Sequence, residues 1–555
     1  MNCQNLEDWL QELALRFSNR QAVLTHGGGD GERYTYYSLE RDSRALANGF
    51  VDRGLAPDDR VAILSDSRPK WALAFFATVR AGGIFLPLDP ALPLEALARI
   101  IADSRPRILL VARAYEHLAA AIAAQASPDL LVISLECRSR LSRGPSISSI
   151  STMRAQPMPD RHRDHTALLT YTSGTTGCAK GVMTTHGNLL FQVDRIRQVF
   201  GNDERCSTVS ILPLSHLFEI SAGLLAVLSG GGKVCYCNSL LPTEILDAMA
   251  RQRVTCMVAV PLFLTLLERA IRGEISRRPG AHRFLFRCSI AVSGCLPLAV
   301  RRRLFHKLLA RFGGQCEYFV CGGAPLDLRT LRFFERVGLP VYQGYGMAEA
   351  SPVITTNWPG ASRQGSVGRP LPGVELRVST GRGGEILTRG PHVMRGYFGN
   401  PDSSKSALDG GWLPTGDTGH IDADGYLYIA GRKKNVIVLG NGKKVQPEAI
   451  ESVLFAHPDI LEGCVVGATA QRTILEGTEE VCAIVVPTPE LVAGYADRQH
   501  ALCRHLRDAI TERSRNLARW QRPTRVLVRI EPLPRTATRK LRRPLVVRWV
   551  REQLA

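Results

Sequence analysis

The sequence predicts an α/β protein with largely parallel sheets, divided into a large N-terminal α/β domain and a small, mobile α+β C-terminal domain. Short β-branched runs such as RVAILSD, RILLVA and KVCYC alternate with longer periodic segments such as WALAFFATVRAG and EALARIIADS. This alternation is typical of parallel sheets covered by helices. A chain of 555 residues is also long enough for more than one hydrophobic core.

A domain boundary is predicted near residue 430. A strand ends at Ala430 and the charged segment GRKKN follows. A hairpin is then expected around Gly440, Asn441 and Gly442, and a helix from Pro447, because proline suits the first position of a helix. We therefore expect a large domain over 1–430, a hinge at 431–435 and a small domain over 436–555.

The charge is basic and uneven. The formal net charge is +19, and the segment 498–555 holds 16 Lys or Arg against 4 Asp or Glu, which is +12 of that total. Such a segment attracts anions, so nucleic acid, anionic lipid, an acidic protein, a polyphosphate substrate or merely a solvated basic face all remain open. The arginines lack accompanying base-stacking aromatic residues, which disfavours nucleic acid.

Composition also excludes some classes of protein. No uninterrupted apolar run reaches the ~18 residues of a membrane-spanning helix, and the N-terminus lacks a basic region followed by an apolar block. The 14 cysteines include no CxxC pair, so no zinc site is expected. We expect a cytoplasmic protein, with peripheral contact at the inner face of the membrane left open.

The segment LLTYTSGTTGCAKGVMTTHGNL, residues 168–189, is the first that carries chemistry. It is not a Walker loop, since its lysine follows Gly177 by three positions and a strand-like run comes before the next helix, expected from about Gly187. We expect the loop to join two strands. Glycine amides, hydroxyls and Lys180 suit a polyphosphate, but by itself such a loop can equally be an ordinary turn.

Other segments follow in a recognisable order: VCGGAPLD at 320–327, YQGYGMAEASPV at 342–353, GWLPTGDTGHID at 411–422 and PLPRTATRKLRR at 532–543. Together with the loop, they resemble the signatures of the adenylate-forming superfamily over nearly the whole chain. Three further segments look like those of long-chain fatty-acid–CoA ligases: ILPLSHLFEISAG, VAVPLFLTLLERAI and GRKKNVIVLGNGKKVQPEAIE.

The resemblance implies roles for individual residues. It implies Lys540 as the catalytic lysine, Lys180 at the phosphates, and His216 at the inner edge of the carboxylate site. It implies Thr172 and Glu349 as Mg²⁺ ligands, and hard oxygen ligands suit that ion. The implied ATP and AMP contacts are Thr172, Ser173, Gly174, Thr175, Thr176, Gly177, Lys180, Gly323, Ala324, Pro325, Gln343, Gly344, Tyr345, Gly346, Met347, Ala348, Asp417, Arg432, Lys434 and Lys540.

Some of these roles are specific. Tyr345 would stack on adenine, Asp417 would accept both ribose hydroxyls, and Lys434 would be the pivot of the small domain. The chain departs from the family pattern at three positions: Ala179 stands for the usual proline, Ala348 for a frequent threonine, and Arg539 for the glycine before the catalytic lysine.

The expected activity is ATP-dependent activation of a medium- to long-chain fatty acid to an acyl-adenylate, followed by transfer to CoA. The expected cofactors are ATP and Mg²⁺. Transfer to the phosphopantetheine of an acidic acyl carrier protein is an alternative that charge does not decide. Adenylation of an amino acid is another, because FEIS at 218–221 resembles a segment whose acid binds a substrate amino group.

Overall fold

A computed structural model of the chain describes residues 3–27, 31–125, 129–136, 145–172, 179–239, 241–379, 384–408, 410–440, 443–455, 457–469, 479–495, 498–535 and 541–554. The predicted α/β fold is confirmed. Strands such as Arg60–Leu64 and Ile108–Val111 alternate with helices such as Pro69–Arg80 and Leu94–Ser104, as the sequence pattern predicts.

The strands are β1 Gln21–Thr25, β2 Arg33–Thr35, β3 Arg60–Leu64, β4 Ile84–Leu88, β5 Ile108–Val111, β6 Leu131–Ser134, β7 Thr166–Thr172, β8 Lys180–Thr185, β9 Ser207–Ser210, β10 Lys233–Tyr236, β11 Cys256–Ala259, β12 Tyr318–Cys321, β13 Val341–Gly346, β14 Val353–Thr356, β15 Arg369–Pro370, β16 Glu375–Val378, β17 Glu385–Arg389, β18 Gly396–Tyr397, β19 Leu413–Ile421, β20 Leu427–Arg432, β21 Ile437–Val438, β22 Lys444–Val445, β23 Ile460–Thr469, β24 Glu479–Pro487 and β25 Arg525–Val528.

The α-helices are α1 Leu6–Phe17, α2 Tyr36–Asp52, α3 Pro69–Arg80, α4 Leu94–Ser104, α5 Glu116–Ala123, α6 Ile147–Ile150, α7 His186–Phe200, α8 Ala226–Leu228, α9 Pro242–Gln252, α10 Pro261–Ser276, α11 Gly280–Ser293, α12 Leu298–Leu304, α13 His306–Leu309, α14 Leu328–Arg336, α15 Pro401–Ala407, α16 Pro447–Leu454, α17 Pro489–Gly494, α18 Gln499–Ser514 and α19 Arg543–Leu554. A π-helical segment, Glu219–Leu225, precedes α8. No helix among the described residues combines the length and the apolar character needed to cross a bilayer.

The chain separates into two compact units. Unit 1 comprises Met1–Leu376 and Thr388–Leu413, and unit 2 comprises Arg377–Leu387 and Pro414–Ala555. Hydrogen bonds within unit 2 join the β19–β20 hairpin to the residues beyond the predicted hinge, since Gln446 Nε2 donates to Thr418 Oγ1 over 3.1 Å. The hinge at 431–435 remains a prediction.

Unit 1 is built on three sheets. Their strand orders are β18-β8-β7-β4-β3-β5-β6, β11-β12-β13-β14-β15 and β2-β1-β10-β9. The inner strands are parallel, whereas β8 and β14 pair antiparallel with their neighbours β7 and β13. The inner strands β3, β4 and β5 are almost fully buried, which explains why they appear in the sequence as continuous apolar runs.

Unit 2 has a separate core around the three-stranded sheet β23-β24-β25. Alternate residues of β24 point to opposite faces, so Val481, Ala483 and Val485 pack with helices α16 and α18. Cys482 and Ile484 pack with α19 on the other face. The predicted hairpin and helix are present as the antiparallel pair β21–β22 and as α16, which begins at Pro447.

One prediction of the fold needs correction. The segment 138–165 is rich in Ser, Arg and Pro and poor in large apolar residues, a composition that predicts a long surface connection, but part of it is packed against the core. The short helix α6 buries Ile147 and Ile150, and α2 makes room for it at Gly49. A Cβ atom at Gly49 would lie 2.1 Å from the Ile150 carbonyl oxygen.

This close approach gives a stability prediction. Gly49→Ala is expected to lower the melting temperature by several degrees, because the added methyl group must displace backbone atoms of α6. Gly273→Ala is the matched control, since Gly273 also lies within a helix but a Cβ atom there meets open space. That control should be neutral or slightly stabilising. Equal melting temperatures for the two variants would contradict the packing of α6 against Gly49.

Candidate active site

The segment between Thr172 and Lys180 joins two strands, as predicted. β7 and β8 pair antiparallel, and Thr172 at the end of β7 lies opposite Lys180 at the start of β8. Helix α7 begins only at His186, after β8 has ended. The loop therefore does not lead directly into a helix N-terminus, in contrast to a Walker loop. Its predicted contacts Ser173, Gly174, Thr175, Thr176 and Gly177 lie outside the described residues.

Lys180 lies in an open pocket of about 370 Å³. Its ammonium nitrogen is 3.2 Å from Ser403 Oγ and 4.8 Å from the centroid of the Tyr397 ring. Asp402 and Ser406 of helix α15 also line this pocket. The aromatic ring holds the cation by electrostatic attraction, so the charge of Lys180 has a defined position beside the loop.

Tyr397 is a site residue that the sequence analysis missed. Strand β18 pairs antiparallel with β8, and this register places Tyr397 opposite Val182. Its hydroxyl donates to Glu349 Oε1 over 3.1 Å. Burial raises the pKa of Tyr397 well above its usual value, and the nearby Glu349 carboxylate raises it further. The phenol therefore remains a donor. No spacing in the sequence links Tyr397 to Lys180; only the strand register does.

Glu349 is fixed through its neighbours in the chain. The buried side chain of Gln192 on α7 donates to the carbonyl oxygens of Ala350 and Val353 over 3.2 and 2.7 Å. The Met394 amide donates to the Glu349 carbonyl oxygen over 2.9 Å. These bonds hold the segment that carries the carboxylate while leaving the carboxylate itself to Tyr397.

Glu349 also fits the metal role that the resemblance implies. Within the described part of the chain, no three His, Cys, Asp or Glu side chains converge as a metal cage. Mg²⁺ in nucleotide sites takes most of its ligands from phosphates and water, with one or two protein oxygens. A single carboxylate oriented by a phenol is compatible with that arrangement.

The two segments predicted to bind adenine lie on neighbouring strands. β12 and β13 are parallel, with Cys321 opposite Gln343. Gly323, Ala324 and Pro325 follow β12, while Gln343 to Gly346 form the end of β13. The carboxyl ends of adjacent parallel strands are a usual place for a ligand. The tertiary structure thus brings both segments to one edge of the sheet.

A glycine is required at residue 346, where the chain turns at the end of β13. A Cβ atom there would lie 1.8 Å from the Pro352 carbonyl oxygen, and the amide of the next residue, Met347, donates to the same oxygen over 2.9 Å. Tyr345 is half-buried, opposite Thr355 of β14. Ala348 begins the short turn that contains Glu349.

The segment around His216 contains a buried carboxyl group. The His216 carbonyl oxygen accepts from the amides of Glu219 and Ile220 at the start of the π-helical segment. Glu219 is buried, and its Oε2 has no hydrogen-bond partner among the described residues. Burial raises the pKa of Glu219 to about 7. A Cβ atom at Gly223 would lie 2.4 Å from Glu219 Oε1, so this glycine makes room for the carboxyl group.

In unit 2 the structure brings together Asp417 and Arg432. They lie opposite each other on β19 and β20, with Arg432 Nε 2.9 Å from Asp417 Oδ1. The Asp417 side chain is buried and that of Arg432 is half exposed. Lys434 is exposed in the short turn after β20. A buried carboxylate beside a partly exposed guanidinium can accept hydroxyls and attract phosphate.

Lys540 lies outside the described residues, but the residues on either side of 536–540 are fixed. Arg535 and Leu541 form an antiparallel bridge, and the Arg542 amide donates to the Pro534 carbonyl oxygen over 2.8 Å. Arg543 is partly buried and donates to Glu451 Oε2 over 2.8 Å. The residues on either side of 536–540 therefore lie close together in unit 2.

The chain matches the models of a known enzyme family. The family model of AMP-binding enzymes matches residues 10–398, and the model of the AMP-binding enzyme C-terminal domain matches residues 449–540. The chain belongs to the AMP-binding enzyme family. This confirms the predicted membership of the adenylate-forming superfamily.

Alignments with similar proteins extend over most or all of this chain. The oxalate–CoA ligase of Arabidopsis thaliana is 29% identical over 100% of both chains. A long-chain-fatty-acid–CoA ligase of Mycobacterium bovis is 30% identical over 82% of this chain and 77% of its own. The crystal structure of ATP-bound MatB from Rhodopseudomonas palustris has a TM-score of 0.79 and 28% identity, covering 99% of this chain and 100% of its own.

Tyr397 gives the first prediction for this AMP-binding enzyme. Tyr397→Leu is expected to weaken ATP binding about tenfold, because Lys180 loses the ring beneath it and Glu349 loses its donor. Tyr397→Phe keeps the ring and should weaken binding only about threefold. Isothermal titration with ATP and Mg²⁺ measures both, with the exposed Tyr37→Leu as control. Unchanged affinity in Tyr397→Leu would exclude the role.

Glu219 gives a prediction about pH. The folded-state pKa is raised above the unfolded value, so the folded protein binds more protons and loses stability as the pH rises through about 7. Glu219→Gln cannot ionise. Its melting temperature relative to the wild type should therefore increase by a few degrees between about pH 5 and about pH 8.

The same replacement at the exposed Glu95 of α4 is the control for this experiment. It should show no such trend. A difference between Glu219→Gln and the wild type that does not change with pH would show that the carboxyl group does not titrate in this range.

Proposed function

We propose that this protein is an ATP-dependent acid–thiol ligase that activates a medium- to long-chain fatty acid. The acid becomes an acyl-adenylate with release of pyrophosphate, and transfer to CoA then gives acyl-CoA and AMP. The observation that carries the proposal is the arrangement of Lys180, Tyr397 and Glu349 beside the Thr172–Lys180 loop, in a chain of the AMP-binding family.

The chemistry explains why such a site is needed. A carboxylate resists attack by a thiol because oxide would have to leave. In the proposed first step, a carboxylate oxygen forms a bond to the α-phosphorus of ATP, and the bond from that phosphorus to the pyrophosphate oxygen breaks. The thiolate then attacks the acyl carbon, and AMP leaves with the electron pair of the carbon–oxygen bond.

The proposed roles follow the charge that develops in these steps. Lys180, kept in place by Tyr397, would neutralise the departing pyrophosphate, and Lys540 would stabilise the charge between the attacking oxygen and the α-phosphate. Thr172 and Glu349 would hold Mg²⁺, which when bound neutralises phosphate charge. Asp417 would accept the ribose hydroxyls, with Arg432 beside it.

The choice of acid is the finer part of the proposal. The two relatives named above act, by their names, on oxalate and on long-chain fatty acids, so similarity alone covers both very short and long acids. The long apolar acid is supported by the sequence segments that resemble fatty-acid ligases. The buried apolar residue Ile220, whose amide donates to the His216 carbonyl oxygen, also supports it.

Glu219 bears on the amino-acid alternative. With a pKa near 7, it is partly neutral at physiological pH, and its carboxyl group is packed against Gly223. A bound ammonium group would lower that pKa again, so the geometry bears on the choice more than the pKa does. The carboxyl group is buried against the backbone at Gly223, and this favours an uncharged acyl chain over an amino acid.

The test is a product assay over a series of acids. ATP–pyrophosphate exchange and thioester formation are measured for oxalate, ferulate, several amino acids and the straight-chain acids from butanoate to octadecanoate, with CoA and acyl carrier protein as parallel acceptors. The proposal predicts exchange with the longer straight-chain acids and acyl-CoA as the product. Exchange only with oxalate, ferulate or an amino acid would refute the substrate class, and thioester formation only on carrier protein would refute the acceptor.

Lys540 gives a prediction that separates the two half-reactions. Lys540→Ala should lower adenylate formation by about a hundredfold or more, because charge on the α-phosphate loses its main stabilising group. Conversion of a supplied acyl-adenylate to thioester should remain near the wild-type rate. Lys444→Ala, at an exposed lysine of the same unit, is the control. Equal loss of both half-reactions would contradict the assignment.

A further inference from the structure

Exposed apolar side chains are concentrated in one part of unit 1. Of the large apolar side chains that are exposed among the described residues, half lie between 262 and 304. They are Leu262, Leu266, Phe284, Leu285, Val292, Leu298, Val300 and Leu304. A concentration of this kind on the surface normally marks a site of interaction.

Helix α11, Gly280–Ser293, shows the clearest pattern. One side of it faces unit 1: Phe286 packs edge-on against Phe305 with ring centroids 5.8 Å apart, Ile290 packs on the same core, and Ser293 is buried. A second apolar stripe runs along the helix. Its residues follow one another at helical spacing and together cover about 100° of the helix circumference. It consists of Ala281, Phe284, Leu285, Cys288 and Val292, all exposed.

The two faces have different consequences. The inner face explains why α11 is helical and where it is attached. The outer stripe contributes nothing to that attachment, because Phe284 and Leu285 are 67% and 63% exposed. A helix that is apolar on two opposite sides is expected to be covered on both.

The segment that contains this stripe is strongly basic, although Glu274 just before it pairs with Arg278 and Arg311. Between residues 275 and 316 the chain contains nine Lys or Arg and no Asp or Glu. Arg283 and Arg287 lie on α11 between its inner face and the outer stripe, both exposed, and Arg277 and Arg278 precede the helix. An apolar face bordered by arginines is the arrangement of helices that lie in the interface of an anionic membrane.

We propose that α11 is a membrane-docking helix, which inserts its outer stripe into the headgroup region of an anionic lipid bilayer while Arg283 and Arg287 contact the phosphates. A second copy of this chain is a poor partner for the stripe. A symmetric dimer contact would place the same basic segment, 275–316, which contains no Asp or Glu, against its own copy. Nucleic acid is also a poor occupant, since Phe284 is the single aromatic ring of the stripe and Ala281, Leu285, Cys288 and Val292 provide no surface on which successive bases stack.

The proposed docking is peripheral. Fourteen residues of helix span about 21 Å, which is shorter than the apolar core of a bilayer. The docking does not depend on which acid the enzyme activates, although a membrane is where long-chain acids partition.

The test is sedimentation of the full-length protein with vesicles of phosphatidylcholine, either pure or with about 30% phosphatidylglycerol. The wild type should bind the anionic vesicles, and more weakly at high salt. The double variant F284S/L285S should lower the partition coefficient about tenfold or more. R283A/R287A should lower it at low salt and have less effect at high salt.

The controls use matched surfaces. L15S removes an apolar side chain that is 86% exposed on α1, and R548A/R551A removes two exposed charges from α19. Both should bind anionic vesicles about as the wild type does. Unchanged melting temperatures show that the exposed substitutions leave the fold intact.

Three outcomes would overturn the proposal. These are no binding of the wild type to anionic vesicles, undiminished binding of F284S/L285S, or an equal loss in L15S and F284S/L285S. Conversion of a wild-type dimer to a monomer by F284S/L285S, with vesicle binding unchanged, would identify the stripe as a contact between copies. Since vesicle binding needs no turnover, failure here leaves the proposed ligase activity untouched.

Discussion

The site in unit 1 depends on the pairing of strand β8 along both of its edges. β7 on one side places Thr172 opposite Lys180, and β18 on the other side brings Tyr397 under the ammonium group. Because backbone hydrogen bonds fix both registers, a shift of one residue would turn either side chain to the opposite face. The charge of Lys180 is therefore positioned by backbone pairing on both edges of β8.

The remaining groups are held by side chains that bond to backbone. Gln192 binds the Ala350 and Val353 carbonyl oxygens, and Asn188 on the same helix binds those of Pro391 and Val393. One helix thus anchors both the segment that contains Glu349 and the segment that leads into Tyr397. A buried amide that satisfies two carbonyl oxygens specifies a single geometry, because any other arrangement leaves buried groups without partners.

The structure around His216 gives Gly223 a different explanation from the one that the sequence suggests. Ile220 and the small residues around Gly223 by themselves indicate an apolar site without a charged group. In the structure the space beside Gly223 is taken up by the Glu219 carboxyl group, which would collide with any Cβ atom at residue 223. The glycine is explained by a buried acid of this chain, and the polarity of the region depends on the proton that this acid holds.

The sequence by itself determined the alternation of strands and helices, the order of the segments that resemble the family signatures, and membership of the AMP-binding family. These follow from local patterns, since apolar periodicity, turn residues and short motifs are each contained in a few adjacent positions. It did not predict the buried helix α6, whose Ile147 and Ile150 lie in a Ser-rich segment. Nor did it predict Tyr397, the packing of Glu219 on Gly223, or the second apolar face of α11. Those were decided only by the tertiary structure, because strand register, contact between distant segments and exposure depend on residues far apart in the chain.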